Sequence, residues 1–425
     1  MVFSVLARAE DTIAFSCNDT LAPPPRHIFS VGGSGAINHL LNIKVRGEKL
    51  VKRGWGSNYN IFFNGQANPA DTAINIYDRV FGFPTLEAGL LLSDFSHTRL
   101  RTGDAPYYST VGMVWAAYIG FRRDVYRNRK WAFGYGLCNG LSLSSRTYEK
   151  NNNIDDDLIG QHLSVYFGCD LFASYRIAPE IEIGAAFEYK HFSNGATDRP
   201  NKGANSYGLA LRARCDLNRP EYDKGLTYSQ RLARLQSFRR EKFDDYFYLD
   251  VNAACGFRTL YEEWLYRREE ATPDDSKYLD GKFALHTVWS TDVVPMYRYN
   301  QVHASGIGLE YTFAGYTSRA KMVNEQVRGI HGYTYSKHIL AIAAHHEVFY
   351  KQLSLAMSVG TYLFKKTGPV GKTYEVPVYE TVGLRYYPKF FQPFYLGYNV
   401  KANLGKAYDM EVKIGMHIGK WGKQK

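Results

Sequence analysis

The chain has 425 residues, 52 Lys and Arg against 41 Asp and Glu, a formal net charge of +11, and 34 tyrosines within an aromatic content of 15%. No run approaches the ~20 consecutive apolar residues of a membrane-spanning helix, and no stretch reads as a long capped amphipathic helix. The basic side chains are dispersed and form neither a basic helix nor a zinc-finger spacing, which argues against nucleic acid and leaves another anionic partner.

The first residues, MVFSVLARAED, resemble the end of a secretory signal, with Ala7-Arg8-Ala9 as a cleavage site, so residues 1–25 are expected to be a leader remnant or a periplasmic extension. Pro23-Pro24-Pro25 stops any element there. Residues 26–82 are the least regular part; 27–31 and 59–63 could be strands, and the region reads as a plug or an extra strand pair.

From Phe83 onwards a two-residue period persists. Leu163, Val165, Phe167, Cys169, Leu171 and Ala173 alternate with His162, Ser164, Tyr166, Asp170 and Ser174, and similar segments recur to the last one, Met410 to Ile418. One face wants lipid and the other water, which predicts an all-β, transmembrane, antiparallel barrel of the outer-membrane type over residues 83–425. The count is roughly fourteen strands, within 12–16. Segment 218–245 is charged and reads as a short helix or a long turn. Short links near 124–129, 178–179 and 351–352 and long ones near 97–106, 147–157 and 261–280 put the loop 195–204 on the outer side. The five cysteines have no CxxC spacing and read as packing residues. His345-His346 cannot chelate together because neighbours on a strand face opposite ways; no metal and no cofactor is assigned.

The hairpin 181–215 carries chemistry on its greasy side. Ile181, Ile183, Ala185, Phe187, Tyr189, His191 and Ser193 share one face, and Asn205, Tyr207, Leu209 and Leu211 share the matching face of the return strand. A serine hydroxyl needs a base, and residues i and i+2 of a strand are close enough for His191 to serve Ser193. Asn205, on the same parity, can hold the second ring nitrogen, as in Cys-His-Asn enzymes, and Asp198 is a substitute acid in the loop. Donors for an oxyanion would come from Asn194, Asn201 or a backbone N–H near Gly195.

His191-Phe192-Ser193-Asn194, with Pro200-Asn201-Lys202-Gly203 after it, resembles the outer-membrane lipid A deacylases of the PagL type and related acyloxyacyl-hydrolase-like barrels. The resemblance implies Ser193 as nucleophile, His191 as base, and Asn194 and Asn201 in the oxyanion hole. Best-known members carry a Glu where this chain has Asn205. The implied protein is a serine esterase of the outer membrane of a Gram-negative bacterium, hydrolysing an ester-linked acyl chain of lipid A. Its partner is lipopolysaccharide, whose phosphates suit the positive charge; association with other outer-membrane proteins is left open. The alternative is a non-catalytic barrel, a pore or a structural partner, suggested by Asn205 and by the strand count.

Overall fold

The structure, a computed structural model, describes residues 25–45, 47–68, 75–103, 105–128, 130–218, 243–373 and 376–421. All but the last residue of the leader expectation for 1–25, and nearly all of the charged segment 218–245, lie outside them. In chain order the strands are β1 (His27–Leu40), β2 (Lys44–Val45), β3 (Glu48–Lys49), β4 (Val51–Arg53), β5 (Trp55–Ala67), β6 (Thr85–Phe95), β7 (Arg99–Leu100), β8 (Gly112–Arg127), β9 (Trp131–Ser144), β10 (Leu163–Arg176), β11 (Ile181–Ser193) and β12 (Ala204–Asp216). They continue with β13 (Tyr246–Arg258), β14 (His286–Arg298), β15 (His303–Phe313), β16 (His338–Tyr350), β17 (Leu353–Phe364), β18 (Val378–Tyr386), β19 (Phe394–Asn403) and β20 (Lys406–Trp421).

The chain closes twice. β1 pairs with β12 to shut a first eight-stranded barrel, and β13 pairs with β20 to shut a second. The expectation of one barrel of about fourteen strands over 83–425 is corrected to two barrels of eight. Residues 27–67 supply β1 and β5 of the first barrel. The period of two belongs to each strand by itself and is the same whichever strand completes the ring, so it carries no record of where closure falls.

Burial follows the membrane pattern. Leu209 and Leu211 are 71% and 75% exposed, whereas Ala210 between them is 4% exposed and faces the lumen. No helix among the described residues is long and apolar enough to cross a membrane. Eight strands leave an interior that side chains can fill, and both lumens are filled with paired charges. In the first, Arg122 meets Asp170 at 2.9 Å, Arg212 meets Glu87, and Glu182 takes Arg176 at 2.8 Å and Arg214 at 3.1 Å. In the second, Arg385 sits between Asp250 at 2.8 Å and Glu347 at 3.0 Å, Lys413 meets Asp292 at 2.8 Å, and Lys401 meets Glu310. Such pairs hold buried charges that would be costly alone, and they fill the lumens a pore would need open.

The two barrels are latched at three heights. Near the short turns, Asp78 of the helix Ile76–Val80 accepts from Tyr350 Oη at 2.5 Å and pairs with Lys351 at 3.0 Å. On the outer walls, the Tyr398 hydroxyl donates to the Asn139 side chain. Among the long loops, Tyr148 Oη donates to the Leu279 carbonyl at 3.0 Å, and Arg268 lies 3.4 Å from Asp155 and 3.7 Å from Asp157.

Candidate active site

The β11–β12 register sets His191 opposite Asn205 and Tyr189 opposite Tyr207. Because all four lie on the outward face of an antiparallel pair, the side chains of opposed residues can meet. They do: His191 Nδ1 is 2.7 Å from Asn205 Oδ1, and Tyr189 Oη donates to the same oxygen at 2.6 Å. Asn205 Nδ2 turns the other way, to the Gly203 carbonyl at 3.4 Å. An amide oxygen accepts only, so it selects the tautomer with the proton on Nδ1 and leaves Nε2 with its lone pair. That is the form a general base needs.

Ser193 ends β11, almost buried at 9% exposure. Its Oγ donates to Asn201 Oδ1 at 2.8 Å and accepts from Gly195 N–H at 3.3 Å. The hydroxyl is thus parked on Asn201, and its transfer to His191 Nε2 requires a turn of the side chain; such bonds often form only with substrate present. The Asn194 N–H also donates to Asn201 Oδ1, at 3.3 Å. Asn201 Nδ2 is buried and has no partner among the described residues. Of the expected oxyanion donors, then, Gly195 N–H and Asn201 Nδ2 stand beside Ser193. The Asn194 side chain is spent inside the loop, accepting from Ala196 N–H at 3.1 Å and donating to the Asp198 carbonyl at 3.3 Å. Asp198 is also occupied elsewhere: its carboxylate accepts from Arg199 N–H at 2.8 Å, and burial pushes its pKa up to about 6.

Three supports escaped the sequence reading. Tyr189 shares the parity of His191 and could have been found by it. Gly203, at φ +73°, packs beneath the imidazole; a Cβ there would come within 2.7 Å of His191 Cε1. The third is the second barrel. Thr259, just after β13, donates to the Ala196 carbonyl with its backbone N–H at 2.8 Å and its hydroxyl at 3.0 Å. Ala196 is buried at φ +69°, a conformation that costs energy without glycine and persists when neighbours impose it. The Arg199 guanidinium lies 5.2 Å from the Tyr261 ring centre. Arg268 reaches Asp157, which holds Lys202 at 3.3 Å, while Gly203 N–H donates to the Leu158 carbonyl at 3.0 Å. The loop 194–203 is held from both barrels.

Residues 95–214 match the family described as lipid A 3-O-deacylase (PagL), and residues 247–421 match the acyloxyacyl hydrolase, C-terminal domain. Domains of the PagL lipid A deacylase family are present in the chain. The two matches fall on the two barrels, the PagL one covering the hairpin with His191 and Ser193, and the protein is an outer-membrane β-barrel. No curated protein sequence matches it. Among solved structures, Neisserial surface protein A is 11% identical, covering 44% of this chain and 97% of that one, with a TM-score of 0.27. The outer membrane enzyme PagL is 14% identical, covering 43% and 97%, with a TM-score of 0.25. The toluene transporter TodX of P. putida is 9% identical, covering 95% and 91%, with a TM-score of 0.17.

Proposed function

We propose that this protein cleaves an ester-linked acyl chain of lipid A by serine catalysis on Ser193, in the outer leaflet. His191 Nε2 takes the Ser193 proton as Oγ attacks the ester carbonyl, and the oxyanion is met by Gly195 N–H and Asn201 Nδ2. Collapse expels the sugar oxygen, which receives the proton from the imidazolium, and leaves the acyl chain on Oγ. Water, deprotonated by His191, then releases the fatty acid and restores the serine. The outward parity of β11 turns this chemistry toward the lipid side of the wall, and the long loops beside it favour the outer leaflet.

The observation that carries the reading is the contact of His191 Nδ1 with Asn205 Oδ1, because it leaves Nε2 as a free base on the face where Ser193 stands. Asn205 orients the ring but supplies no charge to the imidazolium, so a slower enzyme than a carboxylate-bearing one is expected. A fluorophosphonate probe tests it: peptide mapping should find the adduct on Ser193, with labelling abolished in Ser193→Ala and slowed in His191→Ala. Equal labelling of the wild type and Ser193→Ala would sink the proposal.

A further inference from the structure

Beside the site, the loop between β1 and β5 sets like charges against each other and against β7. Lys44 on β2 is the register partner of Lys49 on β3, and Arg53 on β4 is the partner of Arg99 on β7. Arg99 and Arg101 lie 5.2 and 5.4 Å from the centre of the same ring, Tyr108. Like charges directly opposite on a sheet repel. Among the described residues none of these five cations has an ion-pair partner, although the cations of both lumens are paired. Glu48, the acid within this loop, uses its carboxylate on Gly103 N–H at 3.2 Å.

The arrangement is built on a rigid base. Val45, Leu50, Val51 and Leu100 are buried beneath it, Arg101 N–H donates to the Leu50 carbonyl at 3.0 Å, and Asn42 and Val51 exchange two hydrogen bonds at 2.8 and 3.2 Å. The base is tied to the site, since Leu41 N–H donates to the Asn205 carbonyl at 2.8 Å. Below it, His39 contacts Trp55 at 4.9 Å and Tyr207 at 5.9 Å, an aromatic cluster of the kind that marks the lipid–water boundary. The cations therefore stand at headgroup height. Only β12 separates β1 from β11, a lateral offset of ~10 Å.

We propose that Lys44, Lys49, Arg53, Arg99 and Arg101 form a seat for a phosphate monoester on the lipid headgroup, holding the substrate while its ester reaches Ser193. The seat rests on the lipid A deacylase reading. A phosphate supplies the negative charge that the opposed pairs lack, and Arg can bind it through two parallel N–H donors. Substrate affinity, not the chemical step, is what the seat contributes.

The test compares phosphorylated lipid A with the same lipid stripped of its phosphates, using the full chain in detergent. The triple variant Lys49→Gln/Arg53→Gln/Arg99→Gln should raise KM on the phosphorylated lipid about tenfold, leave kcat within about twofold, and change nothing on the stripped lipid. Each substitution relieves a like-charge pair, so folding is not put at risk. Binding of Ser193→Ala to vesicles separates the sources of phosphate. Vesicles carrying phosphorylated lipid A should bind more tightly than stripped ones, with inorganic phosphate at matched concentration failing to displace them. Equal KM values for the triple variant and an active wild type would overturn the seat and leave the esterase reading standing. Displacement by inorganic phosphate with no preference between vesicles would also overturn it. An inactive wild type would instead strike the esterase reading, and the vesicle comparison would still decide the seat.

Discussion

His191 Nδ1 and Asn205 Oδ1 are 2.7 Å apart across two neighbouring strands, with Tyr189 Oη on the same oxygen. The amide does the orienting work of a triad carboxylate without its charge. Asn205→Ala should lower kcat by about 10²-fold with KM little changed, the scale of a misdirected general base. Asn205→Glu should raise kcat above wild type, since a carboxylate also stabilises the imidazolium. Steady-state kinetics on detergent-solubilised lipid A checks both; a faster Asn205→Ala would refute the pairing.

Gly203 carries the second prediction. A methyl there would lie 2.7 Å from His191 Cε1 and would sit on a backbone at φ +73°. Gly203→Ala should push the imidazole off Asn205 and reduce kcat at least about tenfold while both barrels stay closed. Circular dichroism of an unchanged β spectrum beside the lost rate checks it.

The second barrel acts on the loop through Thr259. Thr259→Val removes the 3.0 Å hydroxyl bond to Ala196 and keeps the 2.8 Å backbone bond. One neutral hydrogen bond is worth about 1 kcal/mol, so kcat should fall roughly fivefold at constant KM. Thr259→Ser should restore it. A loss shared equally by Val and Ser would mean that Thr259 serves packing only.

These supports mark where the sequence is legible and where it is not. Alternation along residues 181–215 is local and shows which side chains share a face, so His191 and Asn205, which meet, emerge on one face with Ser193 before any coordinates. Closure of the barrels depends on β1 meeting β12 and β13 meeting β20, pairings between residues far apart in the chain, and nothing in a two-residue period encodes them. Thr259 and Arg268 are invisible for the same reason: they reach the loop from another barrel. The parking of Ser193 on Asn201 is a rotamer choice within a loop whose Arg199-Pro200 bond is cis, and loop conformations of that kind carry no periodic signal.

Asp198 makes stability depend on pH. Burial lifts its carboxyl from 3.8 to about 6 in the folded protein, so the folded state favours the protonated form. The contribution is full below about pH 4 and is lost as pH rises through about 6. Asp198→Asn, which keeps an acceptor for Arg199 N–H, should raise Tm by about 2 °C at pH near 8 and leave it unchanged near pH 4, a modest shift because the group is partly solvated. Thermal unfolding in detergent at the two pH values checks the sign.

The most direct measurement is mass spectrometry of lipid A incubated with the wild type and with Ser193→Ala. The account predicts loss of one ester-linked acyl chain with the wild type and an intact lipid with the variant, whose barrels fold as before. An identical loss with both proteins, or none with a folded wild type across several lipid A species, would contradict catalysis by Ser193.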